Sequence, residues 1–117
     1  MKVLLVDDEK KFVSALAQRL SLRGIEADWV TDPTEALERV TPGKYEAAVL
    51  DVKMPGMDGI ELRRRLAKID PTMKFILVTG HGSDRDYDVG MKEVSYYIIK
   101  PFKIEDLVDK LRGLSGQ

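Results

Sequence analysis

Four short apolar runs in this chain each end in a side chain able to do chemistry. Val3, Leu4, Leu5 and Val6 run into Asp7, Asp8 and Glu9. Ala47, Ala48, Val49 and Leu50 run into Asp51, Phe75 to Val78 into Thr79, and Tyr96 to Ile99 into Lys100. If those ends meet, several carboxylates share one small volume. Carboxylates that close repel one another, and one is pushed to hold a proton unless a cation joins them. A hard divalent ion that keeps several waters suits such a donor set, so Mg²⁺ is the expected ion, with Mn²⁺ as a substitute. Its open positions would favour an anionic oxygen such as phosphate. Lys100 adds a positive charge and Thr79 a hydroxyl donor. Phosphoryl transfer depends mainly on this kind of positioning and charge neutralisation. A carboxylate beside the metal can itself be the nucleophile, giving an acyl phosphate.

These residues can act together only if the fold brings the run ends to one edge. Continuous apolar runs of this length read as strands buried on both faces. Between them lie helical patterns. Residues 10–23 carry Phe12, Val13, Leu16, Ala17 and Leu20 at helical spacing, and Gly24 follows at a C-cap position. Residues 25–30 alternate, with Ile25, Ala27 and Trp29 on one face, as an edge strand does. Asp32-Pro33 reads as a helix start, with Ala36, Leu37 and Val40 as its apolar stripe and Pro42-Gly43 as its end. Asp58-Gly59 opens a helix through Ile69, residues 83–93 form a weaker one, and residues 104–114 a clean amphipathic one. Five strand-then-helix repeats predict an α/β fold: a doubly wound, five-stranded parallel sheet of the flavodoxin-like kind, in strand order 2-1-3-4-5. Ligands of such sheets bind beyond the carboxyl ends of the strands where the order reverses, here between the first and third strands. Adjacent strands lie about 4.8 Å apart, so Asp7, Asp8 and Asp51 should converge.

Composition bounds the alternatives. The 117 residues fit one domain spanning 1–117, with 113–117 read as a tail or the start of a linker. There is no cysteine, which excludes disulfide scaffolds, thiolate metal sites and thiol catalysis. Lys plus Arg number 19 and Asp plus Glu 20, a balance with no electrostatic footprint for nucleic acid or anionic lipid. No apolar run approaches the roughly 20 residues of a membrane span, and residues 1–6 lead straight into acids, unlike a signal peptide. A soluble, cytoplasmic domain is expected.

At the acid cluster the chain resembles the receiver domain of bacterial two-component response regulators, over nearly its whole length. The matching stretches are V-D-D-E at 6–9, L-D-V-K-M-P-G-M-D-G at 50–59, T-G-H-G at 79–82 and K-P-F at 100–102. Each is weak alone; all four in order, each at a strand end, are specific. The chemotaxis member of that family is itself a standard case of the 2-1-3-4-5 order. The resemblance implies that Asp51 accepts a phosphoryl group from a sensor histidine kinase or phosphotransfer protein. It implies that Asp7, Asp8, Asp51 and the main-chain carbonyl of Lys53 hold Mg²⁺, Asp8 more directly and Asp7 through water. Thr79 would hydrogen-bond one phosphoryl oxygen and Lys100 pair with another, with a cis peptide between Lys100 and Pro101. Thr79 and Tyr97 would be the switch pair, and Lys53 and His81 would flank the path of hydrolytic water. The implied function is a phosphorylation-activated signalling switch, not an enzyme beyond its own phosphorylation and dephosphorylation. Its implied partners are a downstream effector domain or protein and a second copy. The copies would meet through the helix expected at 83–93, the last strand and the last helix. Between Thr79 and Lys100 the chain is one residue shorter than usual in the family, and Glu93-Val94 replaces the common Gly-Ala pair.

Other readings compete. A flavodoxin-like electron carrier shares the architecture, but its phosphate loop is small and hydroxyl-rich where this chain has Asp7-Asp8-Glu9-Lys10. A degenerate receiver that only binds proteins would lack one of the core residues, and none is missing. Asp7 and Asp8 could be acids capping the first helix, and Thr79 a cap. Pro55, Gly56 and Gly59 read as turn and helix-entry residues. His81 reads as a solvated loop residue, and Trp29 and Phe75 as core. Tyr96, on the opposite sheet face, rivals Tyr97 for the switch role.

Overall fold

Hydrophobicity on both faces decides where the strands go. β1 (Lys2–Val6), β3 (Ala47–Asp51) and β4 (Lys74–Thr79) are buried at nearly every position, as strands are when helices cover both sides. The computed structural model describes residues 1–80 and 96–115. In it these three strands form the centre of a sheet whose order is β2-β1-β3-β4-β5, with β2 (Glu26–Val30) and β5 (Tyr96–Ile99) at the edges. Each neighbouring pair is parallel, so the expected order and direction are those formed.

Side chains alternate between two helix layers. Val3, Leu5, Val49, Ile76 and Val78 face α1 (Lys10–Ser21) and α4 (Ile104–Leu114), which contribute Val13, Leu16, Leu20, Leu107 and Leu111. Leu4, Val6, Leu50, Phe75 and Leu77 face α2 (Pro33–Arg39) and α3 (Gly59–Ile69), which contribute Ala36, Leu62 and Leu66. Burying each large apolar side chain contributes about 1.5–3 kcal/mol. Phe75 is core, as expected, and Trp29 packs against the α1 side. Among the described residues no helix is long and apolar enough to cross a membrane.

Local signals set the element ends. The Asp32 carboxylate accepts from the Thr34 amide at 2.9 Å and starts α2. Asp58 accepts from the Glu61 amide at 2.8 Å and starts α3. Gly24, with φ +81°, takes the left-handed conformation that turns the chain out of α1. The last helix runs to Leu114, as the apolar spacing over 104–114 predicts, and Leu114 packs against the core. The tail read at 113–117 therefore overlaps α4 at Gly113 and Leu114. The helix expected at 83–93, and His81, lie outside the described residues.

Register delivers the reactive residues to one edge. Val6 pairs with Leu50, so Asp7 comes level with Asp51. Asp51 pairs with Val78, so Thr79 lies one step beyond it, and Thr79 pairs with Ile99, so Lys100 follows directly.

Candidate functional site

At the carboxyl edge of the sheet, carboxylate oxygens of Asp7, Asp8 and Asp51 all lie within 4.8 Å of one another. Asp7 and Asp51 are buried and Asp8 is exposed. None of them caps a helix. Glu9 holds the N-cap position of α1 and makes no side-chain capping bond, while Asp7 Oδ1 accepts the Glu9 amide at 2.9 Å. The capping reading of these acids therefore fails, and the carboxylates of Asp8 and Asp51 face the same cleft. That cleft, of about 250 Å³, is lined by Asp8, Glu9, Asp51, Lys53, Gly80 and Lys100.

Lys100 crosses to this cluster from β5. Its Nζ donates to Asp7 Oδ2 at 2.7 Å and lies 3.5 Å from Glu9 Oε1. Burial alone would lower the ammonium's pKa. The hydrogen bond and charge of Asp7, with the charges of Asp51 and Glu9, outweigh it and hold the group above its ordinary value. Asp51 moves the same way for different reasons. Burial raises its carboxyl first, and Asp7 and Asp8 raise it further against the opposing charge of Lys100, to about 6. One lysine thus does not balance three acids, and the crowding falls on Asp51.

Thr79 is wholly buried at the end of β4, and its carbonyl accepts the Lys100 amide at 2.7 Å. Gly80, the next residue, is the one that lines the cleft. The Lys100–Pro101 peptide is cis, as the resemblance implied. Leu77 pairs with Tyr97, and both belong to the core cluster on the α2–α3 side. Thr79, two residues after Leu77, shares that face. Tyr96 packs on the opposite side, toward α4. Of the two tyrosines, Tyr97 is therefore the one beside Thr79.

The loop after β3 is held by a close backbone approach. The Gly59 amide donates to the Val52 carbonyl at 2.8 Å, and a Cβ at Gly59 would collide with the Asp51 carbonyl and come within 3.0 Å of Val52 Cα. Gly59 read from the sequence as a helix-entry residue; what it supplies is the absence of a side chain, at an ordinary φ. Gly59→Ala is expected to cost about 2 kcal/mol or more by overpacking against backbone that cannot yield, measured as a lower midpoint in urea. An unchanged midpoint would show that the loop can move aside.

A strand-end acid cluster with a lysine from the edge strand is what the sequence resemblance required. The family model for the response regulator receiver domain matches residues 3–112. The chain belongs to that family. As a receiver, it is 35% identical over 98% of its length to the transcriptional regulatory protein TcrA of Mycobacterium tuberculosis, of which it covers 46%. It spans about half the length, or less, of curated relatives that it matches. Among solved structures, a CheY-like receiver domain protein from Methanospirillum hungatei superposes with a TM-score of 0.91 at 30% identity, covering 98% of this chain and 94% of that one. The regulator TrrA of Thermotoga maritima, in complex with Mg²⁺ and a beryllium fluoride, superposes with a TM-score of 0.84 at 30% identity, covering 97% of each chain.

The receiver's site holds two contacts that the sequence reading passed over. Glu9 matched the family motif, but its approach to Lys100 was not foreseen. Phe12 was read only as part of the core stripe of α1, yet Lys100 Nζ lies 4.3 Å from the centre of its ring.

Proposed function

We propose that this receiver is a phosphorylation-activated switch in which Asp51 takes a phosphoryl group from a histidine kinase or phosphotransfer protein. The observation that carries the reading is the convergence of the Asp7, Asp8 and Asp51 carboxylates within 4.8 Å, with Lys100 reaching the same cluster. In the transfer, an Asp51 oxygen forms the new bond to phosphorus. The bond from phosphorus to the donor's imidazole nitrogen breaks, and its electron pair returns to the ring. The domain's own chemistry stops at taking up and losing that group.

The all-oxygen donor set and the crowding that raises Asp51 fit a hard divalent ion. Asp8 and Asp51, with the Lys53 carbonyl, would hold Mg²⁺, and Asp7 would reach it through water. When bound, Mg²⁺ supplies neutralising charge for the acids and the incoming phosphoryl oxygens. The chain's own groups do the rest. Lys100 shifts from Asp7 to a phosphoryl oxygen, and Thr79 turns its hydroxyl toward another. Because Tyr97 shares a sheet face with Thr79, it moves into the space Thr79 leaves. The face around β5 then changes for a partner: an effector domain, another protein or a second copy. Exposed Lys53 shields the acyl phosphate from water.

Incubation with acetyl phosphate and Mg²⁺ tests the reading. The intact mass should rise by one phosphoryl group that survives acid and is lost to hydroxylamine; no gain would overturn it. Metal binding is checked separately by thermal melting. Mg²⁺ at about ten times its dissociation constant should stabilise the chain by about 1.4 kcal/mol. Asp8→Ala should abolish that rise. A melting curve indifferent to millimolar Mg²⁺ would contradict the site.

A further inference from the structure

The Lys100 ammonium has a third neighbour besides Asp7 and Glu9. Its Nζ stands 4.3 Å from the centre of the Phe12 ring. That is well inside the ~6 Å at which a cation is drawn to a ring face. The other cation–ring contacts among the described residues span 5.5 to 5.9 Å. The ring is itself fixed. Phe102 meets it nearly perpendicularly, at 89° and 6.1 Å between centres. Phe102 comes two residues after Lys100, so one short stretch supplies both the cation and the aromatic that holds the ring in place.

Burial alone does not require an aromatic there. Phe12 is only partly buried, while Val13 and Leu16 beside it on α1 are in the core. An aliphatic side chain could fill the same volume, but only an aromatic offers a negatively polarised face. We propose that Phe12 is a positioning residue for the phosphoryl site: its ring face holds the Lys100 ammonium over the acid cluster. This rests on the reading of Asp51 as phosphoacceptor. A lysine side chain has many rotamers, and this one must leave Asp7 to reach a phosphoryl oxygen. The carboxylate contact is directional and is lost on the way. The ring contact depends weakly on direction, so the ammonium stays held as it shifts. Without the ring, Lys100 would stretch toward Glu9 and solvent, and engaging phosphate would require ordering it again.

Two measurements test this. In the metal-free chain, ring current should move the Lys100 ε-methylene proton resonances upfield, and Phe12→Leu should return them to ordinary positions. Then Phe12 is replaced by mono-, di- and trifluorophenylalanine. These keep the ring's shape and make it more apolar, but drain the charge from its face. Affinity for beryllofluoride with Mg²⁺ should fall stepwise along the series, by about three- to tenfold in total, with the fold intact. Phe12→Tyr should restore affinity that Phe12→Leu loses. Unshifted Lys100 resonances, or a flat fluorine series, would overturn the ring's role while leaving the phosphoryl site standing. A native chain that binds no beryllofluoride would overturn the site, and this role with it.

Discussion

Asp51→Asn is expected to abolish phosphorylation and, in the metal-free chain near neutral pH, to raise the melting temperature. Both effects come from one arrangement. The acid best placed to receive a phosphoryl group is also the acid most disfavoured as an anion, with its carboxyl pushed from 3.8 up to about 6 by burial and by Asp7 and Asp8. The sign follows from linkage. A carboxyl raised in the folded state is a burden above its folded value, where it must ionise inside the cluster. As pH falls through about 6 toward 3.8, the native state takes the proton first and is relieved of that burden. This group therefore makes the chain more stable as pH drops over that window, opposite to an acid held by a salt bridge. A carboxyl raised that far would cost nearly 3 kcal/mol in a closed site, and solvent in the open cleft reduces that to about 1–2 kcal/mol. Asp51→Asn should thus raise the melting temperature by about 4–12 °C near pH 7.5 in chelator, and by little near pH 4. A variant no more stable than the native chain at neutral pH would mean that the acids do not crowd in solution.

Lys100→Met is expected to destabilise the metal-free chain strongly. The Lys100–Asp7 pair is 2.7 Å long, and its side chains are only 17% and 6% exposed. Removing the ammonium leaves the Asp7 carboxylate buried, with Asp8 and Asp51 beside it and no cation to offset them. Breaking one side of such a pair costs about 3 kcal/mol. That should appear as a lower urea midpoint with an unchanged slope. Two additions should recover part of the loss. Mg²⁺ should stabilise Lys100→Met more than the native chain, because it restores the missing charge. Asp7→Asn in the same background should help, because it removes the anion left unpaired. If Lys100→Met melts like the native chain, the pair is an exposed contact and not a support of the site.

The sheet was legible in the sequence because burial on both faces leaves no polar residue inside β1, β3 or β4 to blur the runs. The acid cluster was legible for a related reason. In a parallel sheet every strand ends at the same edge, so residues just past the runs must meet. Less legible was what depended on side-chain direction. Val3 to Val6 and Ala47 to Leu50 could be placed as neighbours, but nothing in their order showed that Asp7 would be buried against Lys100 while Asp8 faces the cleft. Phe12 carried the spacing of a core residue, and its contact with Lys100 joins the two ends of the chain through the turn after β5. Gly59 looked like a turn glycine; its real constraint, the nearby Asp51 carbonyl, exists only once α3 folds back on β3. Tyr97 and Tyr96 were separable in principle by strand alternation. The choice needed the register that pairs Leu77 with Tyr97.

The most direct test of the account is to find the residue that carries the phosphoryl group. Borohydride reduces an aspartyl phosphate to homoserine, leaving a stable mark on the modified position. The chain would be treated with acetyl phosphate and Mg²⁺, reduced, digested and sequenced by mass spectrometry. The account predicts that position 51 alone is converted, and that Asp51→Asn gives no converted peptide anywhere. Conversion at Asp7 or Asp8 instead, or a phosphorylated chain in which Asp51 survives reduction as aspartate, would contradict it.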